Sequence, residues 1–269
     1  MTAHGRALAV LAVAALGGLA GCARVRPNLE DLPLPTSDEI LLKVENNYQE
    51  LKDFAASGVA VFSGDTLPRT AAGLRVQYLR PDYLQLSLRG PVGYHLGTLI
   101  LAGDRYMLDF GQSRVRTEGW VEDFEFPRIM GLELGADELL DMFLPLIHVP
   151  YRPDSVTVER DLEAQAYLLS WSDGRLDYRL WADPYEPLFT RSLILSRGDT
   201  LAYKTVSEVK RRSGVYAPQA WEVRLGQGEG SYHLKLEFRE MKVNAGLKTD
   251  DFMFTAGARP DPTEVPVAP

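Results

Sequence analysis

The chain reads as mainly β, an antiparallel sandwich or barrel, and three observations predict it. Short segments of alternating apolar and polar residues recur at regular spacing, with Gly, Pro and Asp between them. The last of these is the clearest. Tyr232, Leu234, Leu236 and Phe238 face one way, while His233, Lys235, Glu237 and Arg239 face the other, so one side is core or cavity and the other is solvent. Only two stretches, 36–52 and 135–144, carry helical periodicity instead.

The first 21 residues stand outside the fold. Arg6 precedes an apolar run over 7–20 that is short for a bilayer span but suits a signal-peptide core. The run ends in Leu19-Ala20-Gly21-Cys22. Cys22 is the only cysteine, so it cannot form an internal disulfide, and an exported lone thiol needs another explanation. Residues 22–35 then read as a tether, because Pro27, Pro33 and Pro35 disfavour helix and strand. A folded domain is expected over 36–256, one large unit or two small ones, followed by a Pro-rich tail over 257–269. The whole chain carries a net charge of −8. Removing residues 1–21 takes away Arg6 and no acid, which makes the remainder more acidic still. That balance argues against a nucleic-acid binder, which needs a basic face. Lys210-Arg211-Arg212 is the one compact basic cluster and reads as a solvated strand end.

The helix over 36–52 has a start signal. Thr36 with Glu39 three residues on is a capping-box pattern, and Asp38 and Glu39 suit the positive helix end. Ile40, Leu41, Val44, Tyr48 and Leu51 share one face, so the helix must lie on something apolar. Strands follow over 55–62, 73–79, 83–88, 94–101 and 106–110, and again over 155–160, 166–171, 176–181, 188–195, 201–209, 218–225 and 231–241. Ser172-Asp173-Gly174 and Arg197-Gly198-Asp199 supply turns between neighbours.

Two breaks in this pattern carry functional interest. In the first, Leu84, Leu86 and Leu88 alternate with polar residues and then meet Gly90-Pro91-Val92-Gly93. Turn tips are usually polar, and Val92 puts an aliphatic side chain there. It either folds back onto the core or forms a hydrophobic finger for a lipid or a lipid-bearing partner. The second break, 120–150, holds the helix over 135–144, whose apolar side is Leu139, Leu140, Met142 and Phe143. This is either a packing helix at a barrel end or a lid over an apolar interior, with 131–135 as its hinge.

No catalytic or metal-binding constellation stands out, and an enzyme is not expected. His95, His148 and His233 have no metal-ligand spacing and no cysteine partner. The glycines of 226–230 join two strands and open no helix. No Gly-x-Ser-x-Gly elbow is present.

In combination, these features resemble the LolA/LolB superfamily of periplasmic lipoprotein carriers and receptors. The order of tether, helix, strands, short helix and strands matches. So does the run 82–88 into Pro91-Val92-Gly93, which is similar to a LolB strand and its protruding loop, and 134–147 resembles the lid segment. The closing 247–254 is more like LolA-type endings, and Val92 stands where LolB has a larger leucine. The resemblance implies an unclosed, curved antiparallel β-barrel of about 11 strands, with an N-terminal helix and a short lid helix over an apolar cavity. Leu19-Ala20-Gly21-Cys22 likewise resembles a lipobox. This implies N-acyl and S-diacylglyceryl groups on Cys22, no other cofactor, and, with Ala23 next in the chain, an outer-membrane anchor facing the periplasm. The expected role is to accept acylated lipoprotein cargo from a soluble LolA-like carrier, as a monomer, and to help insert it into the outer membrane. The alternative is a lipid-sensing or envelope-assembly lipoprotein that binds another lipid or a protein. Leu84, Leu86, Leu88, Trp221, Val223, Tyr232, Leu234, Leu236 and Phe238 are candidates for the cavity wall, and Pro91, Val92 and Gly93 for the contact loop. Burying a ~16-carbon chain at about 0.8 kcal/mol per methylene is worth roughly 12 kcal/mol, which only an apolar interior can supply.

Overall fold

The computed structural model describes residues 27–64, 68–111, 115–124, 136–149, 155–226 and 231–254. The expected signal peptide, Cys22, the hinge over 131–135 and the tail over 257–269 lie outside them. Residues 1–33 and 34–269 are separate units. In the first, Leu29–Asp31 forms a 3-10 turn.

The second unit opens with helix α1 (Ser37–Glu50). The expected capping box is present: the Thr36 hydroxyl accepts from the Glu39 amide, and the Glu39 carboxylate accepts from the Thr36 amide at 2.8 Å. Strands β1 (Asp53–Gly64), β2 (Thr70–Leu79), β3 (Tyr83–Arg89), β4 (His95–Ala102), β5 (Arg105–Phe110) and β6 (Val115–Trp120) then run as an antiparallel meander. Helix α2 (Ala136–Phe143) follows. A second meander is formed by β7 (Thr157–Asp161), β8 (Ala166–Ser172), β9 (Asp177–Ala182), β10 (Phe189–Ser196) and β11 (Asp199–Ser207). A small hairpin, β12 (Lys210–Arg212) and β13 (Val215–Ala217), precedes β14 (Ala220–Leu225) and β15 (Tyr232–Val243).

The main sheet has 13 strands in the order β6-β5-β4-β3-β2-β1-β15-β14-β11-β10-β9-β8-β7. It is a large antiparallel sheet that does not close, since β6 and β7 are its two free edges. The fold class is as expected, with more strands than the expected eleven. β1 and β15 join the two meanders at the centre. There a bulge between Ser57 and Gly58 bends the sheet. A Cβ on Gly58 would lie 2.0 Å from the Glu237 carbonyl oxygen, so only glycine permits this approach.

Residues paired directly across strands share a face, and the rows show what each face contains. In the N-terminal arm, one row is Tyr78, Leu84, Leu101 and Tyr106, and the next is Val76, Leu86, Leu99 and Leu108. Most of these are fully buried. The opposite face of the same arm is also covered. Asp53 accepts from the Ala245 and Gly246 amides and sets the direction of the C-terminal strap. A 3-10 turn over Thr249–Phe252 then seats Phe252 on Ile100 and Met107. In the C-terminal arm, the inner row is Val223, Lys204, Ser192, Leu180 and Leu169. Two polar residues stand in the middle of that row.

Helix α1 is held through a buried polar side chain. Asn47 donates to the Tyr216 carbonyl at 3.0 Å and accepts from the Tyr216 amide at 2.8 Å, pairing the helix with β13 as a strand would. Lys210 and Arg212, from the basic cluster, both donate to the Gln219 side chain, and Arg211 lies over the Tyr216 ring. The cluster is thus one strand of a hairpin.

Candidate functional site

Helix α2 packs its apolar side inward. Leu139, Met142 and Phe143 are buried, and Leu140 is half-buried. The segment after it, 144–147, is buried as well. Two side chains from the sheet interior hold this segment by its backbone. The Trp221 indole donates to the Met142 carbonyl at 2.9 Å. The Lys204 ammonium donates to the carbonyls of Asp141 at 2.6 Å, Leu144 at 2.8 Å and, more weakly, Leu146 at 3.5 Å. The last carbonyls of a helix lack intrahelical partners and carry partial negative charge, so a cation is the fitting cap. Lys204 is only 8% exposed. Burial pushes its ammonium down to about 8, with the Asp141 carboxylate opposing. Three carbonyl acceptors around one Nζ match the three N–H donors of the ammonium form.

Past this segment, His148 stacks on Tyr48 of α1 with ring centroids 4.0 Å apart, and its Nε2 lies 3.4 Å from the Glu45 carboxylate. Burial holds the imidazole below the ordinary histidine value, with Glu45 pulling it back up. Arg80 completes the group. Its guanidinium donates to the Tyr48 carbonyl at 2.9 Å and lies over the Tyr48 ring.

Between this segment and the C-terminal arm lies a cavity of about 310 Å³. Asp141, Met142, Leu146, Ile147, His148 and Val149 line it from the helix side. Trp171, Tyr178, Leu180, Ile194, Val223 and Leu225 give the sheet side its apolar wall, with Ser192 and Lys204 as polar points. Trp171 and Tyr178 stack at 5.0 Å. A second cavity, about 580 Å³, lies at the start of α2 and has a different character: Asp82, Asp104, Glu122 and Asp137 accompany Leu101, Trp120 and Leu140. Among the described residues no group of metal-ligating side chains comes together.

The nine cavity-wall candidates separate on this geometry. Val223 lines the first cavity. Leu84, Leu86, Trp221, Leu234, Leu236 and Phe238 are buried, and Leu88 and Tyr232 half-buried, but none of these eight lines either cavity. Trp221 stacks on Phe238 at 4.8 Å while its indole nitrogen holds the Met142 carbonyl. The sheet wall of the first cavity is drawn from β8–β11 and β14.

At the loop between β3 and β4, Val92 does not fold back. It is fully exposed, and Tyr94 beside it is 46% exposed. The Gly93 amide donates to the Gly90 carbonyl at 3.0 Å, closing a four-residue turn with Pro91 and Val92 at its centre. Val92 has φ 67° and ψ 7°, the third-position geometry of a type II turn, where glycine is the usual residue. A β-branched residue there is strained and wholly in solvent.

An unclosed antiparallel sheet with a helix packed on it is a defined class of fold, and solved structures share it, among them the following three. A domain from Vibrio parahaemolyticus, named for outer membrane lipoprotein sorting, aligns with a TM-score of 0.57 at 13% identity, over 81% of this chain and 97% of its own. A DUF1329 family protein from Desulfovibrio piger gives 0.53 at 11%, over 80% and 96%. A LolA superfamily protein from Nitrosomonas europaea gives 0.51 at 11%, over 82% and 98%. At such identities the likeness shows the fold. No family model and no curated protein matches the chain. No helix among the described residues is long and apolar enough to cross a membrane.

Proposed function

We infer that this protein is an envelope lipoprotein, anchored through Cys22, that takes acyl chains of lipoprotein cargo into its half-barrel and helps to insert them into the outer membrane. The observation that carries this reading is the apolar cavity between the lid segment and the C-terminal arm. It has apolar and aromatic walls and is covered on one side by the segment 142–149, a setting suited to an acyl chain. Release needs no nucleotide, only an apolar sink of higher affinity, and the bilayer is that sink. Val92 supports the delivery step. A strained aliphatic tip at full exposure has no role in the core, and it can enter a membrane surface at little cost. The fold shared with a domain named for lipoprotein sorting supports the same reading. A soluble carrier of the same fold is the expected donor.

The test is transfer. A carrier loaded with an acylated lipoprotein is mixed with this protein, and cargo is followed by pull-down and then by membrane floatation. Cargo should change hands only when acylated. The Val92→Glu variant should still accept cargo but leave it undelivered. Delivery undiminished by Val92→Glu would instead favour a lipid sensor or assembly factor that works through the cavity alone.

A further inference from the structure

We propose that the cavity takes a single-chain anionic amphiphile, a long-chain carboxylate, whose head group pairs with Lys204. This rests on the reading that the cavity holds acyl chains, and it adds to the lipoprotein cargo a second acyl ligand. The inner face of the sheet is otherwise apolar along the rows that meet there, with Leu169 and Leu180 on one side of Lys204 and Val223 and Leu234 on the other. A cation buried in such a wall needs a reason, because taking a charge out of water is costly unless it is paired. Its hydrogen-bond partners are three neutral carbonyls, and the one carboxylate that acts on it, that of Asp141, belongs to an exposed residue and makes no hydrogen bond to it. The acyl chains on a modified N-terminal cysteine bring only esters and an amide, and so no anion for this site. A fatty-acid carboxylate would.

The geometry also says how the head group is admitted. Two of the three donors are spent on short bonds, to Asp141 and Leu144, which keep the helix end capped. The third reaches the Leu146 carbonyl only at 3.5 Å. A carboxylate takes that donor in a stronger, charge-assisted bond, and the Ser192 hydroxyl, next to Lys204 in the same row, is placed to give it a second. The chain then runs along Ile194, Leu180 and the Trp171–Tyr178 stack. Giving up the Leu146 bond loosens the lid segment just where the cavity is covered, so occupancy and lid opening are linked.

The experiment uses the full chain in phosphatidylcholine nanodiscs, with a photoactivatable long-chain fatty acid and its methyl ester as the two probes. Labelled peptides are quantified by mass spectrometry. The acid should label the peptides carrying Leu146 and Ile194 at least roughly tenfold more than the ester, the ratio that one added charged hydrogen bond supplies. In Lys204→Met, acid labelling should fall to the ester level with ester labelling unchanged, while Lys204→Arg should keep most of the preference. Excess acetate should not compete, and competition by it would make this a small-anion site and overturn the proposal. Equal labelling of the wild-type cavity by acid and ester would overturn the proposal and leave acyl binding standing, with no reliance on a variant. Absence of cavity labelling by either probe would remove the acyl-binding reading itself.

Discussion

The two arms of the sheet are built by the same meander and differ in what fills them. In the N-terminal arm, β2 and β3 alternate strictly, and Val76, Leu84 and Leu101 are essentially without solvent exposure. Its far side is covered by Phe252 on Ile100 and Met107. In the C-terminal arm, β10 buries only Phe189 fully, and its other residues are half-buried or exposed. Its inner row holds Ser192 and Lys204 where the other arm holds leucines, and the cavity lies there. The C-terminal arm thus holds the apolar vessel, whereas the hollow that Leu101 and Trp120 of the N-terminal arm line is acidic. A close-packed interior cannot admit a ligand without strain, whereas a half-filled one gives up little stability to do so.

Paired truncations would break this contrast most directly. Leu84→Ala removes a fully buried side chain from the packed arm and should lower stability by about 3 kcal/mol in urea denaturation. Ile194→Ala, on the half-buried cavity wall, should cost about 1 kcal/mol or less, because it enlarges a hollow that already exists. Equal costs would mean that the C-terminal arm is packed as tightly as the other. The loop between β3 and β4 gives a smaller effect of opposite sign. Val92→Gly relieves a positive φ and should raise stability by about 1 kcal/mol, yet it should reduce delivery to membranes. A gain in both would show that the valine is only a misfit.

How much of this was legible in the sequence follows from how local each device is. The capping box of Thr36 and Glu39, the Ser172-Asp173-Gly174 turn and the alternation of β15 depend on residues a few positions apart, and all are found. The turn at Arg197-Gly198 has positive φ at both residues, as a tight hairpin requires. β6 escaped notice because Val115–Trp120 has no apolar alternation, and as an edge strand it needs none. The β12–β13 hairpin merged with its neighbours in the sequence. Glu208 takes a positive φ that ends β11 early, and Ser213-Gly214 makes the turn. Lys204 and Asn47 were missed for a deeper reason. Their partners lie about 60 and 169 positions away and are backbone atoms, which have no sequence identity to recognise. The alternation of β15 marks one buried face and does not by itself separate a packed face from a cavity wall.

The smallest expected effect concerns the lid's exit, where the packed arm and the hollow arm share a contact. His148 stacks on Tyr48, faces Glu45 at 3.4 Å and has Arg80 and Asp141 nearby. Burial is the larger influence on it, so its folded value lies below 6.5 despite Glu45. The folded chain then binds fewer protons than the unfolded one near that pH, and stability falls as pH falls. The contribution is complete above the ordinary histidine value and is lost as pH drops through it toward the folded value. Acidification should therefore loosen 147–149, seen as faster amide exchange there between about pH 7 and about pH 5. His148→Gln should exchange at one pH-independent stability, once intrinsic rates are corrected for. If His148 titrates above 6.5 by NMR, then Glu45 outweighs burial, acid tightens the lid rather than freeing it, and the vessel is closed by low pH.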